Sequence, residues 1–215
     1  MNLPFTVEQF LQVFALYNVS VWPSQVFLIF FGLTAIFFTI HPLKFSDRAI
    51  SFLLAVLWLW MGIVYHINFF ADINPVAYGF GAIFIVQVAL FLWMAVQGKI
   101  SYQFLLGWRE AIGMGFAIYG LFIYHVVGIF YGHLYPSTPT FGTPCPTTIF
   151  TFGILLMATG VPRYLLIIPG LWSVIGFMAA LQLGIREDFG LLVAGVVGTA
   201  ILLIAKPRGV SPTAS

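Results

Sequence analysis

The sequence predicts an all-helical integral membrane protein, and three observations carry that prediction. Charged residues make up 7% of the 215 residues, and hydrophobic residues make up 61%. Apolar runs of about twenty residues recur along the chain, which is the length that an α-helix needs to cross a bilayer. These runs lack the strict alternation of membrane β-barrel strands. Because a backbone in lipid must satisfy its own hydrogen bonds, helices are the predicted spanning element.

The N-terminal segment, residues 1–21, precedes the first span and has a different pattern. Thr6 and Gln9 have the spacing of a capping box, in which each side chain bonds the backbone N–H of the other residue. Phe10 and Phe14 fall on one helical face, and polar residues lie elsewhere. Residues 6–16 of this segment are therefore predicted to form a short amphipathic helix that lies at the membrane interface.

A seven-helix membrane domain is predicted over residues 22–205, followed by a polar C-terminal tail at 206–215. Trp22 and Pro23 mark an interface and the first turn of span 1, and Pro146 begins the unusually short span 5. The predicted spans are residues 22–41, 49–67, 75–97, 109–131, 146–161, 163–184 and 188–205.

The basic residues predict the orientation of these spans. Arg186 alone falls on one side of the layout. The other seven of the eight Lys and Arg residues share the opposite side: Lys44, Arg48, Lys99, Arg109, Arg163, Lys206 and Arg208. Basic loops stay in the cytoplasm, so the N-terminus is predicted outside and the C-terminus inside. A net charge of +2 spread over these loops forms no patch for nucleic acid.

The longest polar interruption, residues 132–153, is the candidate functional segment. It holds His133 and the only cysteine, Cys145, which stands between two prolines at the predicted start of span 5. A helix start presents unpaired N–H groups and a positive dipole end, which suits an anion or a reactive thiol. The alternative interpretation is a small buried residue at a helix cap.

Polar side chains gather on the predicted outer face, and we hypothesise that they line a binding site for a small solute or ion. The candidate residues are His66, Asp72, His125, His133, Cys145, Thr147, Thr148 and Glu187. Among them, His66, His133 and Cys145 are ligand types that suit zinc or copper, although their spacing matches no metal-binding signature. A metal ion is thus a possible cofactor, and no motif identifies another.

Spans 1–3 and 5–7 have similar patterns. LLAVLWLW at 53–60 corresponds to LLIIPGLW at 165–172, although apolar segments also align by chance. A true correspondence predicts a parallel three-plus-one-plus-three repeat. That layout resembles the sugar and vitamin transporters of the SWEET and PnuC type, an analogy at the level of the fold.

Three segments, VWPSQ (21–25), LLAVLWLWMGIVYHINFFADINP (53–75) and PTFGTPCPTTIFTFG (139–153), carry a resemblance to a family. They are similar to an uncharacterised family of small bacterial multi-pass membrane proteins, known as a domain of unknown function. The likeness covers nearly the whole chain. It implies a bacterial inner-membrane location and implies no activity, ligand or site residue.

The leading functional hypothesis is a membrane transport or channel-like protein for a small solute or ion, with its site at the outer face. Its support is the one-sided polar cluster beside a short, proline-started span. One alternative is a membrane-embedded metal- or cofactor-binding protein or enzyme. Another is an accessory subunit of a larger membrane complex. Beyond the lipid bilayer, the predicted partners are the solute and either further copies of the chain or other membrane subunits.

Overall fold

A computed structural model of the chain describes residues 4–204. Residues 1–3 of the predicted N-terminal segment, the last residue of predicted span 7 and the predicted tail at 206–215 lie outside the described residues. The α-helices within 4–204 are α1 Val7–Val21, α2 Ser24–Ile40, α3 Ser46–Leu59, α4 Ala77–Gln97, α5 Trp108–Ile118, α6 Tyr124–Phe130, α7 Pro144–Leu156, α8 Ile167–Leu183 and α9 Phe189–Ile204. Two short strands, β1 Ser101–Tyr102 and β2 Ala158–Thr159, pair antiparallel.

Shorter helical turns extend several of these helices. α3 continues as a π-helix, Trp60–Ile67, and α5 and α6 are joined by a second π-helical segment, Tyr119–Ile123. Single 3₁₀ turns lie at Phe70–Asp72, Arg163–Leu166 and Arg186–Asp188. The wider turns keep the helical path continuous while changing which side chains face the bundle.

Five helical stretches within 4–204 are long and apolar enough to cross a membrane: Ser46–Asp72, Ala77–Gln97, Trp108–Phe130, Arg163–Leu183 and Arg186–Ile204. α1 and α2 meet the same criterion only as a pair, and an 88° bend separates them. α7 is apolar but has 13 residues. The all-helical class is confirmed, together with several helices long and apolar enough to cross a membrane. The count of seven spans, their orientation and the repeat stay predictions.

α1 begins with the predicted capping box. The Thr6 hydroxyl oxygen accepts the Gln9 N–H at 3.2 Å, and the Gln9 amide oxygen accepts the Thr6 N–H at 2.9 Å. The helix is longer than the predicted amphipathic pattern, and its aromatic face packs on protein. The Phe14 ring stacks on Tyr65 at 5.7 Å, and the Phe10 ring meets Phe70 edge-on at 6.0 Å.

α7 is the central helix of the bundle, because nearly every residue from Pro144 to Leu156 is buried. Close packing against α5 depends on glycine. A Cβ at Gly153 would lie 2.5 Å from the backbone nitrogen of Ala117, and one at Gly113 would lie 2.7 Å from the Gly153 carbonyl oxygen. A helix that is apolar on every face is stable only when it is surrounded, which is the position of α7.

The two ends of the bundle differ. At one end, here called the ladder end, β1 pairs with β2, Asp47 Oδ1 accepts the Tyr102 N–H at 2.7 Å, and the Arg109 guanidinium donates to the Ala158 carbonyl oxygen. The connections and helix ends on this side carry the basic residues Lys44, Arg48, Lys99, Arg109 and Arg163. The other end, here called the loop end, carries residues 132–143, and Arg186 lies there.

Candidate functional site

A cavity of about 490 Å³ lies at the loop end, where α1, α8 and the first turn of α7 meet. Cavities of roughly 300–1,000 Å³ hold small organic molecules. Its walls are mainly apolar, with aromatic side chains from several elements and aliphatic side chains from α8. The aromatic lining residues are Phe5, Phe10, Phe14, Tyr65, Phe70, Phe80, Tyr124 and Trp172.

The two π-helical segments deliver tyrosines to this cavity. Tyr65 lies within Trp60–Ile67, and Tyr124 follows Tyr119–Ile123 directly. A π-helical turn inserts an extra residue and therefore rotates the side chains beyond it, and such turns are frequent at functional sites. Both irregular turns thus lie beside the same cavity.

A buried carboxyl group, Asp188, lies at the polar end of the cavity and is 4% exposed. The Tyr124 hydroxyl donates to Asp188 Oδ1 at 2.5 Å. The Cys145 thiol also lies against the Asp188 carboxyl, and the Trp172 indole lies beside that thiol. The indole N–H is buried and makes no hydrogen bond within the described chain.

The charge around Asp188 is not balanced by a basic side chain. None of the residues that line the cavity, all of which fall within 4–204, is Lys, Arg or His. The first turn of α7 contributes positive charge at this end of the cavity, because the start of a helix carries about half a positive unit charge. Pro144 and Pro146 have no N–H, so Cys145 carries the one backbone donor among these first three residues.

His133 and Glu187 are the two predicted site residues that the structure pairs. His133 Nδ1 lies 2.8 Å from Glu187 Oε1, and the Glu187 side chain is fully buried. The Tyr119 hydroxyl donates to the Glu187 carbonyl oxygen at 2.9 Å, and the same carboxylate lies against Gly128. This pair is outside the cavity lining, although Glu187 precedes Asp188 in the chain.

His66 is fully buried behind the cavity wall. Its ring lies 4.8 Å from the Phe84 ring and 5.1 Å from the Trp172 ring, both edge-on. Neither ring nitrogen has a hydrogen-bond partner within residues 4–204. The imidazole thus packs against the indole of Trp172, a cavity residue.

The other predicted site residues lie apart from the cavity. Asp72 lines a second depression, between α1 and the turn after α3, together with Glu8. The Thr147 hydroxyl oxygen accepts the Gly142 N–H at 3.0 Å, so it stabilises the loop before α7. Thr148 Oγ1 and His125 Nδ1 are buried and make no hydrogen bond in the described part of the chain.

Of the predicted residues, the cavity therefore contains Cys145, and sequence analysis missed Asp188, Tyr124 and Trp172 as cavity residues. Across residues 4–204, no group of three or more His, Cys, Asp or Glu residues is arranged to hold a metal ion. The metal hypothesis for His66, His133 and Cys145 consequently gains no support from the geometry.

The chain belongs to the Family of unknown function (DUF6064), whose profile matches residues 7–209. The predicted membership of an uncharacterised family is thereby confirmed. No curated protein and no solved structure has significant similarity to the chain. The analogy to SWEET and PnuC transporters stays a prediction.

Proposed function

We propose that this DUF6064 member is a multi-pass membrane protein that moves a small solute across the bilayer and binds it in the loop-end cavity. The observation that carries the proposal is a cavity of about 490 Å³, with one buried carboxyl group, at one end of an apolar helical bundle. A mainly apolar pocket with a few convergent polar groups is the usual form of a small-molecule site. The central helix α7 begins at this cavity, as short helices do at solute sites in many transporters.

The proposed membrane arrangement has seven spans, with α2 and α7 as the two short ones. α2 and α7 have 17 and 13 residues, so tilt and local thinning of the bilayer would accommodate them. Five of the six described Lys and Arg residues lie at the ladder end, which favours a cytoplasmic ladder end and an outer loop end in the inner membrane. α2–α4 and α7–α9 then follow the same order of directions, which supports the parallel three-plus-one-plus-three repeat.

Cys145 provides a direct test because it is the only cysteine and lines the cavity. Membrane-impermeant maleimide should label it in right-side-out vesicles, and more slowly in inverted vesicles, since a transporter exposes its site to each side in turn. Cys145→Ser is the background control. Labelling that never occurs from the second side, under any solute condition, would contradict transport.

Solute flux provides the second test, with two matched variants on α8. Ala179 lines the cavity, whereas Leu181 is half exposed on another face of the same helix. In reconstituted liposomes, Ala179→Trp should fill the cavity and abolish uptake of any solute that the wild-type protein carries. Leu181→Trp should leave uptake unchanged. Equal uptake by both variants would show that the cavity is not on the transport path.

A further inference from the structure

We infer that the cavity takes a small organic cation, a protonated or quaternary amine attached to an apolar body. This inference names the substrate class of the proposed solute site and rests on that proposal. It follows from the sign of the charge at the polar end of the cavity, the chemistry of the walls and the position of the opening.

An ionised Asp188 gives the polar end an excess of negative charge. Asp188 supplies one unit when ionised, and its contacts, Tyr124 and Cys145, are neutral groups. The start of α7 offsets about half of that charge. The nearby guanidinium of Arg186 lies over the Tyr131 ring at 5.1 Å, and the His133 imidazole contacts Glu187, so neither faces Asp188 as a partner. A ligand cation would supply the missing counter-charge.

The walls suit the rest of such a ligand. Tyr65, Phe80, Tyr124 and Trp172 line the cavity, and the faces of aromatic rings attract cations through their quadrupoles. The Phe80 and Trp172 rings meet edge-on at 5.4 Å, with planes 77° apart. Two walls at nearly a right angle form a corner that fits a compact ammonium group.

The cavity reaches the outer surface of the bundle. Val174 and Met178 on α8 line it, yet they are 52% and 53% exposed. In the proposed arrangement this face of α8 meets lipid, and the N-terminal residues Pro4 and Phe5 form the opposite rim. An amphipathic amine that partitions into the membrane interface could therefore enter from the side.

Equilibrium binding to the purified full-length protein tests the inference with three probes of similar shape. The probes are 2-phenylethylammonium, 2-phenylethanol and 3-phenylpropanoate, which carry positive, zero and negative charge. The wild-type protein should bind the ammonium at least about tenfold more tightly than the alcohol, because a hydrogen bond to an ionised group adds that much. The propanoate should bind most weakly.

Asp188→Asn should reduce the preference for the ammonium over the alcohol to within about twofold. The matched control is Asp72→Asn, which removes a carboxylate outside the cavity and should leave the preference unchanged. A second test of the same inference needs no variant. The ammonium should protect wild-type Cys145 from maleimide at lower concentration than the alcohol does.

Three outcomes would overturn the inference: equal binding of ammonium and alcohol by the wild-type protein, tightest binding of the propanoate, or no binding of any probe. Each would leave the flux test with Ala179→Trp and Leu181→Trp valid for the proposed transport function. Conversely, a strong ammonium preference with no flux would contradict transport and retain the class of ligand.

Discussion

A polar clamp centred on Asn18 fastens the loop over the start of α7, and Asn18→Ala should loosen it. Asn18 is fully buried. Its Nδ2 donates to the carbonyl oxygens of Pro136 at 2.6 Å and Thr138 at 2.7 Å. Its Oδ1 accepts from Gln25 Nε2 at 2.6 Å and from the Thr140 hydroxyl at 2.8 Å. The amide thus uses its full hydrogen-bonding capacity.

The expected loss of stability in Asn18→Ala follows from the groups that lose a hydrogen-bond partner. Gln25 and Thr140 already contact each other at 3.2 Å, so they compensate each other in part after the substitution. The two loop carbonyl groups have no such replacement. Each buried polar group without a partner costs about 1–3 kcal/mol, so the free energy of unfolding should fall by about 2–5 kcal/mol. For a chain of this length that corresponds to a melting temperature lower by roughly 4–20 °C.

The assay combines thermal unfolding of the detergent-solubilised protein with the rate of maleimide labelling at Cys145. The labelling rate should rise in Asn18→Ala, because the clamp holds residues 136–140 close to the start of α7. Gln12→Ala, at an exposed position on the same helix, is the control. A melting temperature within about 1 °C of wild type, with an unchanged labelling rate, would refute the clamp.

Two further predictions concern packing and charge elsewhere in the bundle. His133→Ala should lower the free energy of unfolding by about 1.5–3 kcal/mol, because buried Glu187 loses a charge-assisted hydrogen bond. The double variant His133→Ala, Glu187→Gln should recover at least part of the loss in the same thermal assay, and no recovery would count against that cause. Gly153→Ala should reduce the yield of folded protein in size-exclusion chromatography, since the new Cβ would overlap Ala117. Gly79→Ala, where a Cβ meets nothing within 4 Å, should leave that yield unchanged. Equal yields from the two variants would contradict the close α5–α7 contact.

The all-helical class was predictable because mean hydropathy is a property of a whole segment of the sequence. The capping box at Thr6 and Gln9 was also predictable, because its hydrogen bonds join residues three apart. α1 shows what a local sequence pattern cannot predict. Its apolar face was evident from Phe10 and Phe14. An amphipathic pattern, however, does not specify whether lipid or protein covers that face. In the structure, Phe70 and Tyr65 cover it.

The cavity could not be predicted from residue types alone. Sequence analysis chose Glu187 and His125 as site residues, whereas their neighbours Asp188 and Tyr124 line the cavity. Successive helical residues point about 100° apart, so a neighbour in sequence faces another part of the bundle. The π-helical segment Tyr119–Ile123 shifts that phase again, and its sequence, YGLFI, carries no signature of the wider turn.

The contacts of Cys145 bear on two roles that the sequence left open for it, a nucleophile and a metal ligand. A cysteine nucleophile is activated by a basic or cationic neighbour, and the thiol here lies between a carboxyl group and an indole. A structural metal site needs about four converging ligands, whereas the cavity brings together one carboxyl and one thiol. An aromatic cavity with one uncompensated carboxyl group is instead suited to hold a positively charged guest and release it unchanged. Binding without chemistry is what the proposed transport function requires of this cavity.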